Sequence, residues 1–293
     1  MSRKKIFDYC RICGEYKKLS QEHVPPQSAF NIGKIWVLDY LETIKKGIDF
    51  EQARRNLKRA KFYNGIYFYT ICEKCNNETG SWYSRDIYSY SHFVKTIYNL
   101  YEFKKIYNNQ ILMPITCFPL RVIKQIVVMF LNINSILGKE RDYLSNFVLN
   151  KYRTGLPPEY RFFIYYTQSN RGRMAPLFGK MSFNKSKGIN YSEIAFPPLG
   201  YVMTVDSKPD VPLTEITHFA NYQYNQISNI WLTLCNYPVD SPDPLDFKSE
   251  SELHEIMYKN AVKSLNPKKE EIDLDFNSEN ILSSLKNFIS SLR

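Results

Sequence analysis

The chain has 293 residues, 44% of them apolar and 15% aromatic, which supports one large or two ordinary cores and excludes wholesale disorder. Its formal charge is +10, unevenly spread: Asp240 to Arg293 holds 11 acidic residues against 7 Lys and Arg, a net of −4 that leaves +14 on residues 1–239. No apolar run approaches the roughly 20 residues of a membrane span, and the start, MSRKKIFDYC, lacks the apolar stretch of a secretory signal.

These features predict a cytoplasmic protein with no membrane partner. The basic body suits a polyanion such as nucleic acid; a Lys-rich composition without such a partner is the alternative. Six cysteines are present, and four of them form two CxxC pairs. In a chain expected in a reducing compartment, that spacing favours metal over disulfides. Cys117 and Cys235 stand alone in apolar surroundings and read as small core residues.

In chain order, Cys10-Arg-Ile-Cys13-Gly14 reads as a zinc knuckle, with Gly14 allowing the tight turn. Glu15 to Gln21 reads as a polar turn. Glu22 to Pro26 (EHVPP) reads as short and extended, because Pro25 and Pro26 bias the residues before them away from helix. From Lys34 to Lys61 the pattern turns helical, with Val37, Tyr40, Leu41 and Ile44 at i, i+3, i+4 and i+7. A second helix is expected from Phe50, where Arg54 with Lys58 and Arg55 with Arg59 share faces. Like charges at that spacing cost roughly a few tenths of a kcal/mol per pair; a bound polyanion would offset this, and a solvated face is the plainer reading.

Asn64-Gly65 is a hairpin-type turn signal, and Ile66 to Ile71 a compact strand. A helix then runs from Cys72 past Trp82, and residues 86–107 look helical, with Tyr90, Phe93, Val94 and Ile97 at core spacing. Further on, the predicted elements are a strand at Ile111–Phe118, helices at Leu120–Asn134 and Tyr143–Asn150, and strands at Arg161–Thr167, Met174–Phe183, Tyr201–Val205 and Ile230–Cys235. Beyond Pro238 polar residues dominate, and Glu279–Leu292 is a weakly amphipathic helix candidate.

The two CxxC pairs supply four thiolates, and tetrahedral zinc takes four. Cys13 and Cys72 are separated by 58 residues, so a shared ion would close a long loop and support folding of the N-terminal segment. An iron–sulfur cluster or two half-sites are the alternatives. Between the pairs, Glu22 is a hard oxygen ligand suited to Mg²⁺ or Mn²⁺, and His23 follows it directly. Adjacent side chains of an extended segment point to opposite faces, so one can hold a cation while the other faces a water. Asn76 follows the last thiol, and its carbonyl oxygen is a neutral ligand.

In combination, a CxxC pair, an acidic residue before His with Pro close behind, and a second CxxC followed by Asn resemble the zinc-stapled HNH, or ββα-metal, nucleases over roughly residues 8–85. The resemblance implies a treble-clef-like zinc module, taken here as 1–94 with a helical insertion at 34–61; the composition and element pattern beyond it read as a mixed α+β domain over 95–240 and an acidic, partly helical tail over 241–293, an α+β chain as a whole. The resemblance implies structural zinc on Cys10, Cys13, Cys72 and Cys75. His23 would be the general base, and Glu22 and Asn76 the ligands of a catalytic divalent ion, Mg²⁺ or else Mn²⁺ or Ni²⁺. Asn64, or more weakly Asn77, would orient the base, and Arg54, Arg55, Lys58 and Arg59 would contact phosphate.

The expected activity is endonucleolytic hydrolysis of nucleic acid, DNA before RNA. A non-catalytic zinc-containing nucleic-acid-binding module is the rival. A third reading makes the remainder of the chain a sensor, with a regulatory partner or oligomer, as in prokaryotic anti-phage effectors. Two departures from the family pattern stand out: Asn in place of the commoner His at 76, and the length of the segment between His23 and Cys72. His92, His218 and His254 have no ligand-like neighbours and read as structural. The aromatic runs Tyr67-Phe68-Tyr69 and Phe162–Tyr166 read as strand cores in preference to base-stacking surfaces.

Overall fold

The computed structural model describes residues 5–37, 59–102, 110–135, 140–167, 172–181, 188–209, 211–237 and 239. The acidic tail and its helix candidate lie outside these residues, as do most of the predicted insertion helices and Arg54, Arg55 and Lys58. The described chain is a mixed α/β structure with several antiparallel sheets and three α-helices. Among the described residues, no helix is long and apolar enough to cross a membrane.

The N-terminal segment folds as a small sheet of order β1-β2-β5, from Phe7–Tyr9, Tyr16–His23 and Tyr67–Cys72. The stretch Glu15 to Gln21, expected as a turn, is thus mostly strand. Its polarity misleads because β2 is largely half-exposed, and only Leu19 of that stretch is fully buried. Backbone pairing with β1 on one side and β5 on the other outweighs side-chain character here.

The segment expected to be helical from Lys34 begins and ends as strand. β3 (Ile35–Val37) pairs antiparallel with β4 (Ala60–Phe62) in a two-stranded ribbon. Val37, which opened the helical pattern, pairs with Ala60. The Asn64-Gly65 turn joins β4 to β5, which belong to different sheets. Gly65 has φ +76°, and a Cβ there would lie 2.1 Å from the Asn31 carbonyl oxygen, so only glycine fits.

The two helical stretches read after Cys72 are one helix, α1 (Glu73–Glu102). It buries Tyr83, Ile87, Tyr90 and Val94 along a single stripe. Its main partner is α2 (Pro119–Ile133), the most deeply buried helix, with every residue but Arg121 inside. Pro119 opens α2, where its missing N–H costs nothing. The third helix, α3 (Glu140–Leu149), packs against α2. Lys124 of α2 is fully buried and donates to the Phe147 and Asn150 carbonyls at the end of α3.

A five-stranded antiparallel sheet follows, of order β11-β7-β10-β9-β8. Its strands are β7 (Tyr160–Tyr166), β8 (Arg173–Met181), β9 (Gly188–Phe196), β10 (Leu199–Val205) and β11 (Thr214–Glu215). A second ribbon pairs β6 (Gln110–Cys117) with β12 (Ser228–Cys235). One contiguous core runs from Cys10 and Ile71 through α1 and α2 to Tyr160, Met203 and Leu234. The N-terminal sheet is joined to α2 by polar contacts as well: Asn132 accepts from Arg11 at its backbone oxygen and from Thr70 at its side chain.

Candidate metal centre and active site

Four sulfurs converge where the small sheet meets α1. Cys10 follows β1, Cys13 sits in the turn before β2, Cys72 ends β5 and Cys75 lies in the first turn of α1. Their Sγ atoms all lie within 4.8 Å of one another. Cys13 and Cys72 are 3.9 Å apart; a tetrahedral zinc with Zn–S of about 2.3 Å sets its sulfurs about 3.8 Å apart. The knuckle is closed by backbone bonds from Gly14 N to Cys10 O at 2.8 Å and from Cys10 N to Glu15 O at 2.9 Å, with Gly14 at φ +74°. The Cys72 N–H donates to the Cys10 sulfur.

The electrostatics of the cluster call for a cation. Cys10 is pushed down to about 4, first by the hydrogen bond from Cys75 and then by backbone N–H groups, against the effect of burial. Cys75 moves up in response, and Cys13 is raised by burial. The donor set, its burial and its spacing fit a structural Zn²⁺.

Beside the cluster is a cleft of about 210 Å³, lined by Glu22, His23, Pro26, Gln27, Asn76, Gly80, Ser84 and Gln125. The structure thus brings Glu22, His23 and Asn76 together. Glu22 and His23 end β2 opposite Phe68 and Tyr67, next to a register shift between Ser20 and Glu22. Simple alternation would send the two side chains to opposite faces. At the end of the strand both nevertheless line one cleft.

His23 Nε2 lies 2.9 Å from the backbone oxygen of Asn64. A carbonyl can only accept, so Nε2 carries the proton and Nδ1 keeps its lone pair. Asn64 therefore does meet His23, through its main chain. Asn77 is exposed and does not line the cleft. The position of that carbonyl is set by Asn31, fully buried, whose Oδ1 accepts from Ile66 N at 2.7 Å and whose Nδ2 donates to Pro25 O and Ile66 O. Burial pushes the His23 pKa down, against the Asn64 carbonyl, and so favours the neutral imidazole that can accept a proton.

Asn76 Nδ2 donates to Ser20 Oγ and to Gln21 O, both at 3.1 Å. Its donors are thereby turned toward β2 and the Glu22 carboxylate, so a ligand role for its Oδ1 requires the amide to turn over. Glu22 is raised to about 7 by burial, with the Asn76 amide pulling the other way. An acid whose folded pKa lies above its ordinary 4.5 favours its protonated form, so its contribution to stability is complete below about 4.5 and is lost as pH rises to about 7. His23, with a lowered pKa, has the opposite slope. The Glu22→Gln chain isolates the carboxyl: with zinc retained and no other divalent cation added, its urea stability relative to the native chain should rise by on the order of 1–3 kcal/mol between pH 4.5 and 7. A pH-independent difference would contradict this placement of Glu22.

Of the predicted phosphate contacts, Arg59 is described. Its guanidinium lies 5.0 Å from the ring centroid of exposed Trp36 on the β3–β4 ribbon, and Lys61 Nζ lies 4.7 Å from the same ring. Asn31 and Gln125 were not singled out in the sequence. Neither carries a spacing signal that the sequence alone would show: Gln125 follows Lys124 in an amphipathic helix, and Asn31 lies in a loop. His92 stacks on Phe30, in keeping with a structural role.

No family model, curated protein or solved structure matches this chain. Its function therefore rests on the residues themselves.

Proposed function

We propose that the protein is a cation-dependent endonuclease of the zinc-stapled HNH, ββα-metal type, hydrolysing phosphodiester bonds in nucleic acid, DNA in preference to RNA. The observation that carries this reading is His23: a neutral imidazole, tied through Nε2 to a main-chain carbonyl, in one cleft with Glu22 and Asn76 and next to four converging thiols. A purely structural zinc knuckle has no need of a half-buried carboxylate and an oriented histidine at its flank.

Nδ1 of His23 takes a proton from a water in the cleft, and the resulting nucleophile attacks phosphorus in line. The Asn64 carbonyl holds the tautomer and stabilises the imidazolium as it forms; Gln27 Nε2, 3.3 Å from the same oxygen, helps to fix it. The P–O3′ bond breaks with its electron pair on the 3′ oxygen, which takes a proton from solvent water to become the hydroxyl; the His23 imidazolium returns its proton to solvent, and the other product carries a 5′-phosphate. Glu22 and the Asn76 Oδ1 would hold a divalent cation, Mg²⁺ by preference, which when bound supplies positive charge at the scissile phosphate. Zinc at the thiols would fix the spacing between β2 and the first turn of α1, and with it the distance from Glu22 to Asn76.

The β3–β4 ribbon supports the choice of nucleic acid as substrate. Trp36 and Tyr63 are 52% and 69% exposed, with Arg59 and Lys61 over the Trp36 ring and Lys61 also 4.8 Å from the Tyr63 ring. A flat ring beside two cations suits a base and its phosphate. The edge contacts Phe62–Tyr67 and Tyr67–His23 link the ribbon to the cleft. Trp36→Ala should weaken binding of single-stranded DNA by about 1–3 kcal/mol. Lys61→Ala should lower the slope of log affinity against log salt by about 1. Unchanged titrations for both variants would remove the ribbon from the interface.

The deciding experiment is cleavage of supercoiled plasmid and of structured RNA by the full chain in Mg²⁺, Mn²⁺ or Ni²⁺, with and without EDTA. The expected result is cation-dependent nicking with 5′-phosphate ends. Tight binding with intact substrate under every condition would favour a non-catalytic module, for which the neutral Asn76 is the specific support.

A further inference from the structure

We propose that Gln125, on α2 and far in sequence from the zinc module, supplies a third protein oxygen to the cation site of Glu22 and Asn76. The proposal rests on the nuclease reading above and extends it to a ligand that no spacing motif contains. Gln125 is 1% exposed and lines the same cleft as Glu22, His23 and Asn76. Its Oε1 is buried with no hydrogen-bond partner.

That orphan acceptor is out of keeping with the rest of α2. The other buried polar groups of the helix find protein partners: Lys124 on the Phe147 and Asn150 carbonyls, and Asn132 on Val128 O, Thr70 and Arg11. A buried amide oxygen without a donor is costly, and leucine or methionine at this position would satisfy packing at no such cost. The penalty is relieved if a cation or its water sits in the cleft. One carboxylate and two amide oxygens form a hard, singly charged donor set, suited to Mg²⁺ or Mn²⁺ with water in the remaining positions.

The arrangement has a consequence for the fold. A Gln125 ligand makes the cation site straddle the small sheet, α1 and α2, so the N-terminal segment alone does not carry a complete site. This gives a physical reason for the close attachment of the zinc knuckle to α2 through Arg11, Thr70 and Asn132.

The test uses Mn²⁺ binding, read by electron paramagnetic resonance, on the full-length zinc-loaded His23→Ala chain, which keeps the ligands and removes turnover. Adding Gln125→Leu should weaken Mn²⁺ by about tenfold or more, as loss of a coordinating or supporting group does. Adding Gln125→Glu, the same length with a charge, should tighten it, which shows that the position acts on the ion directly and covers the case that leucine perturbs folding. Equal affinities in the parent and both variants overturn the proposal. Mn²⁺ affinity that falls with Glu22→Gln but ignores Gln125 would overturn it while leaving the nuclease reading intact. Absence of any Glu22-dependent Mn²⁺ binding would overturn both.

Discussion

Replacing His23 with alanine is expected to abolish phosphodiester cleavage, a fall of about 10²–10⁴-fold from loss of the general base alone. Zinc content and nucleic-acid affinity should hold. The reasoning is local. The ring lies at the end of β2 in the cleft, and its one identified side-chain hydrogen bond goes to the Asn64 carbonyl. It is half-buried and lies outside the hydrophobic core. Removing it deletes the proton acceptor and a few edge contacts with Tyr67, and the sulfur cluster is untouched. His92→Ala is the matched control: that ring stacks on Phe30 at 4.3 Å and should cost stability without removing cleavage. The rate of the native chain should rise with pH through the lowered pKa of His23, since the neutral ring is the active form. A His23→Ala chain that cut at the native rate would show that another group activates the water.

The second large effect is on the zinc. The purified chain should carry one zinc, and Cys72→Ser should lose it. In isolated finger peptides a structural zinc contributes about 10–16 kcal/mol to folding. Here the effect should be regional. The bond from Cys72 N to Cys10 Sγ, the turn around Gly14 and the pairing of Leu19 with Cys72 all depend on the cluster. The five-stranded sheet has its own ladders and its own buried residues, including Tyr160, Ile164 and Met203. Amide hydrogen exchange in Cys72→Ser should therefore show loss of protection across β1, β2 and β5 while β7 and β10 stay protected. Acid should act in the same way, because protonated thiols release the ion. Full protection in the N-terminal sheet without zinc would mean that the thiols are ordinary core residues.

Much of the four-thiol cluster could be read from spacing alone, because two CxxC pairs leave few geometric choices. The strands β5, β6, β7 and β10 and the helix α2 were legible for a related reason: their apolar period survives burial on one or both faces. β2 was not. Most of its residues are Lys, Ser, Gln, Glu and His, and what makes it a strand is pairing on both edges, which no local pattern reports. The helix expected after Lys34 failed similarly, because Val37 fits an apolar helical period as readily as it fits the ribbon with Ala60. β9 lacked a clear alternation and is held by β8 and β10.

At the candidate site, the identities of Glu22, His23 and Asn76 were visible, but their common cleft was not. Side-chain alternation predicted opposite faces, whereas at the end of β2 both residues line one cleft. Asn64 was singled out through the family resemblance, yet it meets His23 through a carbonyl that every residue possesses. Its placement depends on Gly65 and on Asn31, thirty-odd residues earlier in the chain. Gln125 lies in a helix whose apolar pattern points only to packing. Contacts of that kind become visible when the chain is folded, because they join elements that no spacing rule connects.

The most direct test of the account is anomalous X-ray diffraction from a crystal of the full chain grown with Mn²⁺, measured at the zinc and manganese edges. The account predicts one zinc about 2.3 Å from the sulfurs of Cys10, Cys13, Cys72 and Cys75, and a manganese bonded to Glu22 and Asn76 with the His23 ring facing it. Thiols without a common ion, or manganese with no contact to Glu22, would contradict it.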